Sequence, residues 1–166
     1  GGLVIDPASN LEAVADVLVV GDTILAIGSG LDNKIRPPKC RPLIINAANL
    51  WVVPGLIDMH VHLRDPGNTE AETLKTGTCA AAHGGITTLL AMPNTRPVTD
   101  SADKIRKLSQ IIRREAKVNV LLAAAVTVGQ KGESLTKMEE LANAGATAFS
   151  DDGKPVMRAA LMEQAL

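Results

Sequence analysis

Aromatic side chains are almost missing from this sequence: one Trp, one Phe and no Tyr in 166 residues. A core built on stacked rings is therefore excluded, and Ala, Leu, Ile and Val must fill the interior, as suits helices packed closely on a parallel sheet. An excess of charge of either sign is missing too. The 17 Lys and Arg nearly balance the 18 Asp and Glu, for a net charge of −1, so nothing draws the chain electrostatically to nucleic acid or to an anionic membrane. No apolar run reaches the roughly 18 residues of a membrane span. No basic stretch followed by an apolar one marks a secretory signal. Cysteine is scarce: Cys40 and Cys79 lack metal-type spacing and read as two reduced thiols of a cytoplasmic protein. No G-x-G-x-x-G or G-x-x-x-x-G-K-[ST] follows an expected strand, which argues against a nucleotide-binding sheet. What is present, 46% hydrophobic and 21% charged residues, is enough for a folded domain, alone or with a small appendage.

Two textures follow one another along the chain. Residues 1–53 read as short strands: Leu3 to Ile5, Val17 to Val20, a Gly21-Asp22 turn, Thr23 to Ile27, then Leu43 to Ile45 and Leu50 to Val53, with a Pro-containing loop from Leu31 to Arg41. From Pro54 strands alternate with helices. Strands are expected over 55–63, 86–92, within 118–128 and over 146–149; helices over 69–83, 101–117, 135–144 and from 156 onward. Such alternation implies a parallel sheet with right-handed crossovers, either doubly wound or half of a barrel. The apolar run directly behind Gly1-Gly2, and a helical pattern still running at Leu166, lead us to expect a sequence that continues at both ends.

In parallel α/β folds chemistry gathers where strands end. The first strand of the second region ends in Asp58-Met59-His60-Val61-His62-Leu63-Arg64-Asp65. Residues i and i+2 of a strand point to one side, so His60 and His62 project together as half a site for Zn²⁺ or a similar ion. Asp58 lies one step deeper and could support them. Arg64 follows on the same face; it reads equally as a fork for a substrate carboxylate or as a loop arginine paired with Asp65. Asn94, after Met92-Pro93, offers a donor and an acceptor or simply a turn. The third strand end, near Thr127, offers nothing usable. The fourth ends in Ser150-Asp151-Asp152-Gly153. Two adjacent carboxylates there need a metal ion or a helix N-terminus to offset their charge. His83, in the last turn of a helix, reads as structural.

Together these motifs resemble a known family. Pro54-Gly55-Leu56-Ile57-Asp58-Met59-His60-Val61-His62 is similar to the entry signature of the amidohydrolase superfamily, which includes dihydroorotases, hydantoinases and allantoinases. Leu63-Arg64-Asp65-Pro66-Gly67, Gly84-Gly85-Ile86-Thr87-Thr88, Met92-Pro93-Asn94-Thr95-Arg96-Pro97 and Phe149-Ser150-Asp151-Asp152-Gly153 narrow the resemblance to the long, bacterial-type dihydroorotases. It implies an α/β fold: the first half of a metal-dependent hydrolase (β/α)₈ TIM barrel over 54–166, preceded over 1–53 by part of a small β-sandwich.

The resemblance also implies site roles. His60 and His62 would be metal ligands, and Asp152, favoured over Asp151, would take the bridging position. Arg64 and Asn94 would bind the substrate carboxylate. The cofactor would be Zn²⁺, one or two ions. Two further histidines and a proton-transferring aspartate would lie beyond Leu166, so no catalytic residue is expected within this chain. The reaction implied is reversible hydrolysis of dihydroorotate to N-carbamoyl-aspartate in pyrimidine biosynthesis. A homodimer, or an assembly with aspartate carbamoyltransferase, is implied as possible. Rival readings are another cyclic amidohydrolase, or a non-catalytic partner of that transferase.

Overall fold

The computed structural model describes residues 1–31 and 43–166; most of the loop expected over Leu31–Arg41 lies outside them. The chain divides into two compact units, Gly1–Pro54 and Gly55–Leu166.

The first unit is a four-stranded sheet of β1 (Gly2–Asp6), β2 (Leu11–Val20), β3 (Thr23–Gly28) and β4 (Trp51–Val52), in the order β3-β2-β1-β4. β1 pairs antiparallel with β2 and parallel with β4. β2 begins six residues before the expected Val17, because β1 supplies its N-terminal half with a partner from Leu11 to Ala15. The strand expected over Leu43–Ile45 does not form. These side chains are 88%, 73% and 78% exposed, and an apolar run without a partner strand has no ladder to join.

The second unit alternates strand and helix: β5 (Leu56–Val61), α1 (Leu74–His83), β6 (Ile86–Ala91), α2 (Ala102–Glu115), β7 (Asn119–Ala124), α3 (Met138–Asn143), β8 (Ala146–Phe149) and α4 (Ala159–Ala165). The strands lie in the order β5-β6-β7-β8 and every neighbouring pair is parallel. A doubly wound sheet reverses its strand order at a switch point. Four parallel strands laid down sequentially are instead the first half of a (β/α)₈ barrel.

Its core is aliphatic, as the composition requires. Leu89 and Ile105 are fully buried, with Leu63, Leu74, Leu108, Leu122, Ala124 and Leu141 around them. α2 contributes Ile105 and Leu108 from one face. α1 starts at Leu74 rather than Thr69, because Asn68 to Glu72 form turns closed on Arg64 and Asn68 carbonyls. Thr73 then caps the helix, its Oγ1 accepting from the Thr76 amide at 3.0 Å. Gly85, at φ +79°, ends it in the left-handed conformation that glycine adopts without a Cβ penalty.

Candidate metal centre

The C-terminal ends of β5, β6, β7 and β8 carry the chemistry-bearing side chains. His60 sits within β5, and His62 directly follows it. Their rings lie 5.2 Å apart, centroid to centroid, at 71°. Asp152, three residues past β8, faces both: its Oδ1 is 3.2 Å from His60 Nε2 and its Oδ2 is 3.5 Å from His62 Nε2. The ligand atoms of the three lie within 4.8 Å of one another, the one such cluster found among the described residues. Two donors each about 2.1 Å from a tetrahedral ion stand about 3.4 Å apart. The two His–Asp separations match that spacing, and two imidazoles with a carboxylate are a donor set suited to zinc and similar ions.

Asn94, three residues past β6, lies between these groups. Its Oδ1 is 3.0 Å from His62 Nδ1, and its Nδ2 donates to Asp152 Oδ2 at 2.9 Å. Arg64 is exposed, at φ +58°. Among the described residues its guanidinium forms no ion pair. The alternative pairing with Asp65 is not seen: the Asp65 carboxylate accepts from the Leu74 amide at 3.4 Å. Asp58 does not reach the imidazoles; its Oδ1 accepts from the His60 backbone amide at 3.0 Å.

The structure gives Asp151 and Asp152 different surroundings. Asp151 is buried and turns away from the histidines. Its Oδ1 accepts from the Val126 and Thr127 amides at 2.8 and 3.1 Å, and its Oδ2 accepts from the Thr127 hydroxyl. Neither aspartate caps the following helix, which begins only at Ala159.

Two further residues shape the site: Thr127, at the strand end that offers nothing usable in the sequence, and Gln130, which the sequence does not single out. Thr127 is fully buried, and its hydroxyl also accepts from the Gly132 amide at 2.9 Å. Gln130 is buried with its Nε2 3.5 Å from the Asp152 carbonyl. The loop after β7 thus buttresses the segment that presents Asp152. The one available hint was a threonine at a strand end, followed by Gly129 and Gly132.

In this parallel α/β half-barrel two histidines and an aspartate converge at the strand ends, in an arrangement that could hold a metal ion. Residues 50–166 match the family model described as dihydro-orotase-like, and the chain belongs to that family. It is 49% identical over 166 residues to a dihydroorotase of Geotalea daltonii, covering 100% of this chain and 38% of that protein. It is 50% identical over 131 residues to a dihydroorotase of Bacillus caldolyticus, covering 79% of this chain and 31% of that one. The chain thus spans well under half the length of these relatives. Among solved structures, an L-hydantoinase (dihydropyrimidinase) from Arthrobacter aurescens superimposes with a TM-score of 0.64 at 23% identity, covering 89% of this chain and 31% of that one. A D-hydantoinase from a Thermus species gives 0.52 at 26% identity, covering 76% and 26%. These likenesses bear out the expected family and fold. No helix among the described residues is long and apolar enough to cross a membrane.

Proposed function

We propose that the protein carrying this chain is a dihydroorotase, a cytoplasmic enzyme of pyrimidine biosynthesis that opens and closes the cyclic amide of dihydroorotate. The observation that supports this reading most is the meeting of His60, His62 and Asp152 in a chain nearly half identical to dihydroorotases along its whole length. On this reading residues 54–166 supply the first four βα units of the barrel, and residues 1–53 part of a β-sandwich.

His60, His62 and Asp152 would hold one or two zinc ions. When bound, such an ion supplies Lewis acidity, which polarises an amide carbonyl and acidifies nearby water. The chain's own residues bind and orient. Arg64, exposed and free of an ion pair among the described residues, offers a two-pronged guanidinium to the substrate carboxylate. Asn94 retains one N–H for the same carboxylate after donating to Asp152. Holding that group fixes the ring amide relative to the ligands, and such positioning lowers the barrier. No general acid or base is assigned among these residues.

The full chain as its gene encodes it, loaded with zinc, should convert N-carbamoyl-aspartate to dihydroorotate at acidic pH and the reverse at alkaline pH. Ring closure takes up a proton with its carboxylate, so proton supply sets the direction. Absence of turnover in both directions in a folded, metal-loaded preparation would overturn the assignment.

A further inference from the structure

We propose that Asn94 is a positioning residue of the metal centre, fixing which nitrogen of His62 faces the ion and holding Asp152 against it. The inference rests on the reading of His60, His62 and Asp152 as ligands, and gives Asn94 a role beyond binding substrate.

The argument follows from donors and acceptors. An ionised carboxylate only accepts hydrogen bonds. The group of Asn94 that lies 2.9 Å from Asp152 Oδ2 must therefore be its NH₂, which fixes the orientation of the side-chain amide. The carbonyl oxygen is then the atom 3.0 Å from His62 Nδ1. A carbonyl only accepts, so His62 Nδ1 carries the proton. The neutral ring is left with its lone pair on Nε2, the nitrogen that faces Asp152 at 3.5 Å. One amide thus sets both the tautomer and the rotation of one ligand and the rotation of another. A metal-bound imidazole generally depends on such a partner on its other nitrogen. His60 has no comparable support: among the described residues no hydrogen bond reaches its ring apart from the approach of Asp152. The His60 side chain is 56% exposed and that of His62 30%.

Asn94 also sits beside the space that a substrate carboxylate would occupy on the proposed reading. Substrate that draws on its remaining N–H would then be felt at His62 and Asp152, linking carboxylate binding to the ligand set.

The test is the affinity of the full chain for Zn²⁺ and Co²⁺, by competition with a chromophoric chelator, in the parent and in Asn94→Ala and Asn94→Leu. Ala removes both hydrogen bonds; Leu does so while keeping the branched shape at Cγ and leaving no cavity, which guards against a collapse of the site. Melting of the metal-free protein by circular dichroism identifies variants that fold. The expected result is about 10- to 100-fold weaker metal binding, a Co²⁺ visible spectrum altered from the parent's, and an unchanged metal-free melting temperature. Parental affinity and an unaltered Co²⁺ spectrum in either folded variant would overturn the positioning role and leave Asn94 a substrate contact only. Failure of the parent itself to bind either ion would instead overturn the metal-centre reading beneath it.

Discussion

His60 and His62 stand two residues apart on an extended strand end, and that spacing alone puts both imidazoles on one side. The pairing of the two imidazoles was legible for this reason. The choice between Asp151 and Asp152 was not legible from the residues alone. Both stand in the loop past β8, where strand alternation no longer applies, and which one turns inward depends on the amides of Val126 and Thr127, some 25 residues away. Asn94 was visible as a polar group after a proline, but its two partners lie 32 and 58 residues from it in sequence. Two predictions belong to this scale. His60→Ala removes one of the three donors that meet among the described residues, and elemental analysis of the purified full chain should find the metal lost; full occupancy would sink the assignment. Arg64→Met should leave the metal content alone and raise KM for dihydroorotate about 10- to 100-fold, the loss of a charge-assisted hydrogen bond of about 1.5–3 kcal/mol. An unchanged KM would show that Arg64 is not the carboxylate clamp.

Strands and helices of the second unit were readable because each is a short apolar run or an amphipathic stretch closed by a clear stop. β8 was placed at its exact bounds between Gly145 and Ser150. Helix starts were less readable. α1, α3 and α4 all begin later than the patterns suggest, because the preceding residues are spent on turns and loops that shape the strand ends. The turn from Arg64 to Glu72 delays α1 to Leu74, and Lys154 bonds back to Asp151 at 2.8 Å before α4 can start. In the first unit Leu43–Ile45 shows the converse, an apolar run that forms no strand.

Two predictions test how these elements are joined. Asp151→Ala strands the buried Val126 and Thr127 amides and should cost about 3 kcal/mol, at roughly 1–3 kcal/mol for each unsatisfied group, measured by urea unfolding. A loss under about 0.5 kcal/mol would mean that Asp151 does not brace the β7 and β8 ends. Gly67 adopts φ +114°, and a Cβ there would overlap Arg96 in the loop after β6. Gly67→Ala should therefore push the two loops apart and lower both melting temperature and substrate affinity; parental values for both would show that their close approach is dispensable.

At the scale of the whole molecule, periodicity could establish alternation but not strand order. The spacing of apolar residues is the same in a doubly wound sheet and in a barrel, whereas the sequential order β5-β6-β7-β8 exists only between segments distant in sequence. The motifs at the strand ends supplied what periodicity could not, because they carry the resemblance to a family whose fold is known. We propose that the chemistry at these strand ends is the hydrolysis of a cyclic amide bearing a carboxylate.

The most direct test compares kcat/KM of the zinc-loaded full chain for dihydroorotate and for dihydrouracil, which has the same ring without the carboxylate. A site that pairs Arg64 and Asn94 with that group should prefer dihydroorotate by at least about 100-fold, the equivalent of about 2.7 kcal/mol. Equal turnover of the two, or turnover of dihydrouracil alone, would contradict the account.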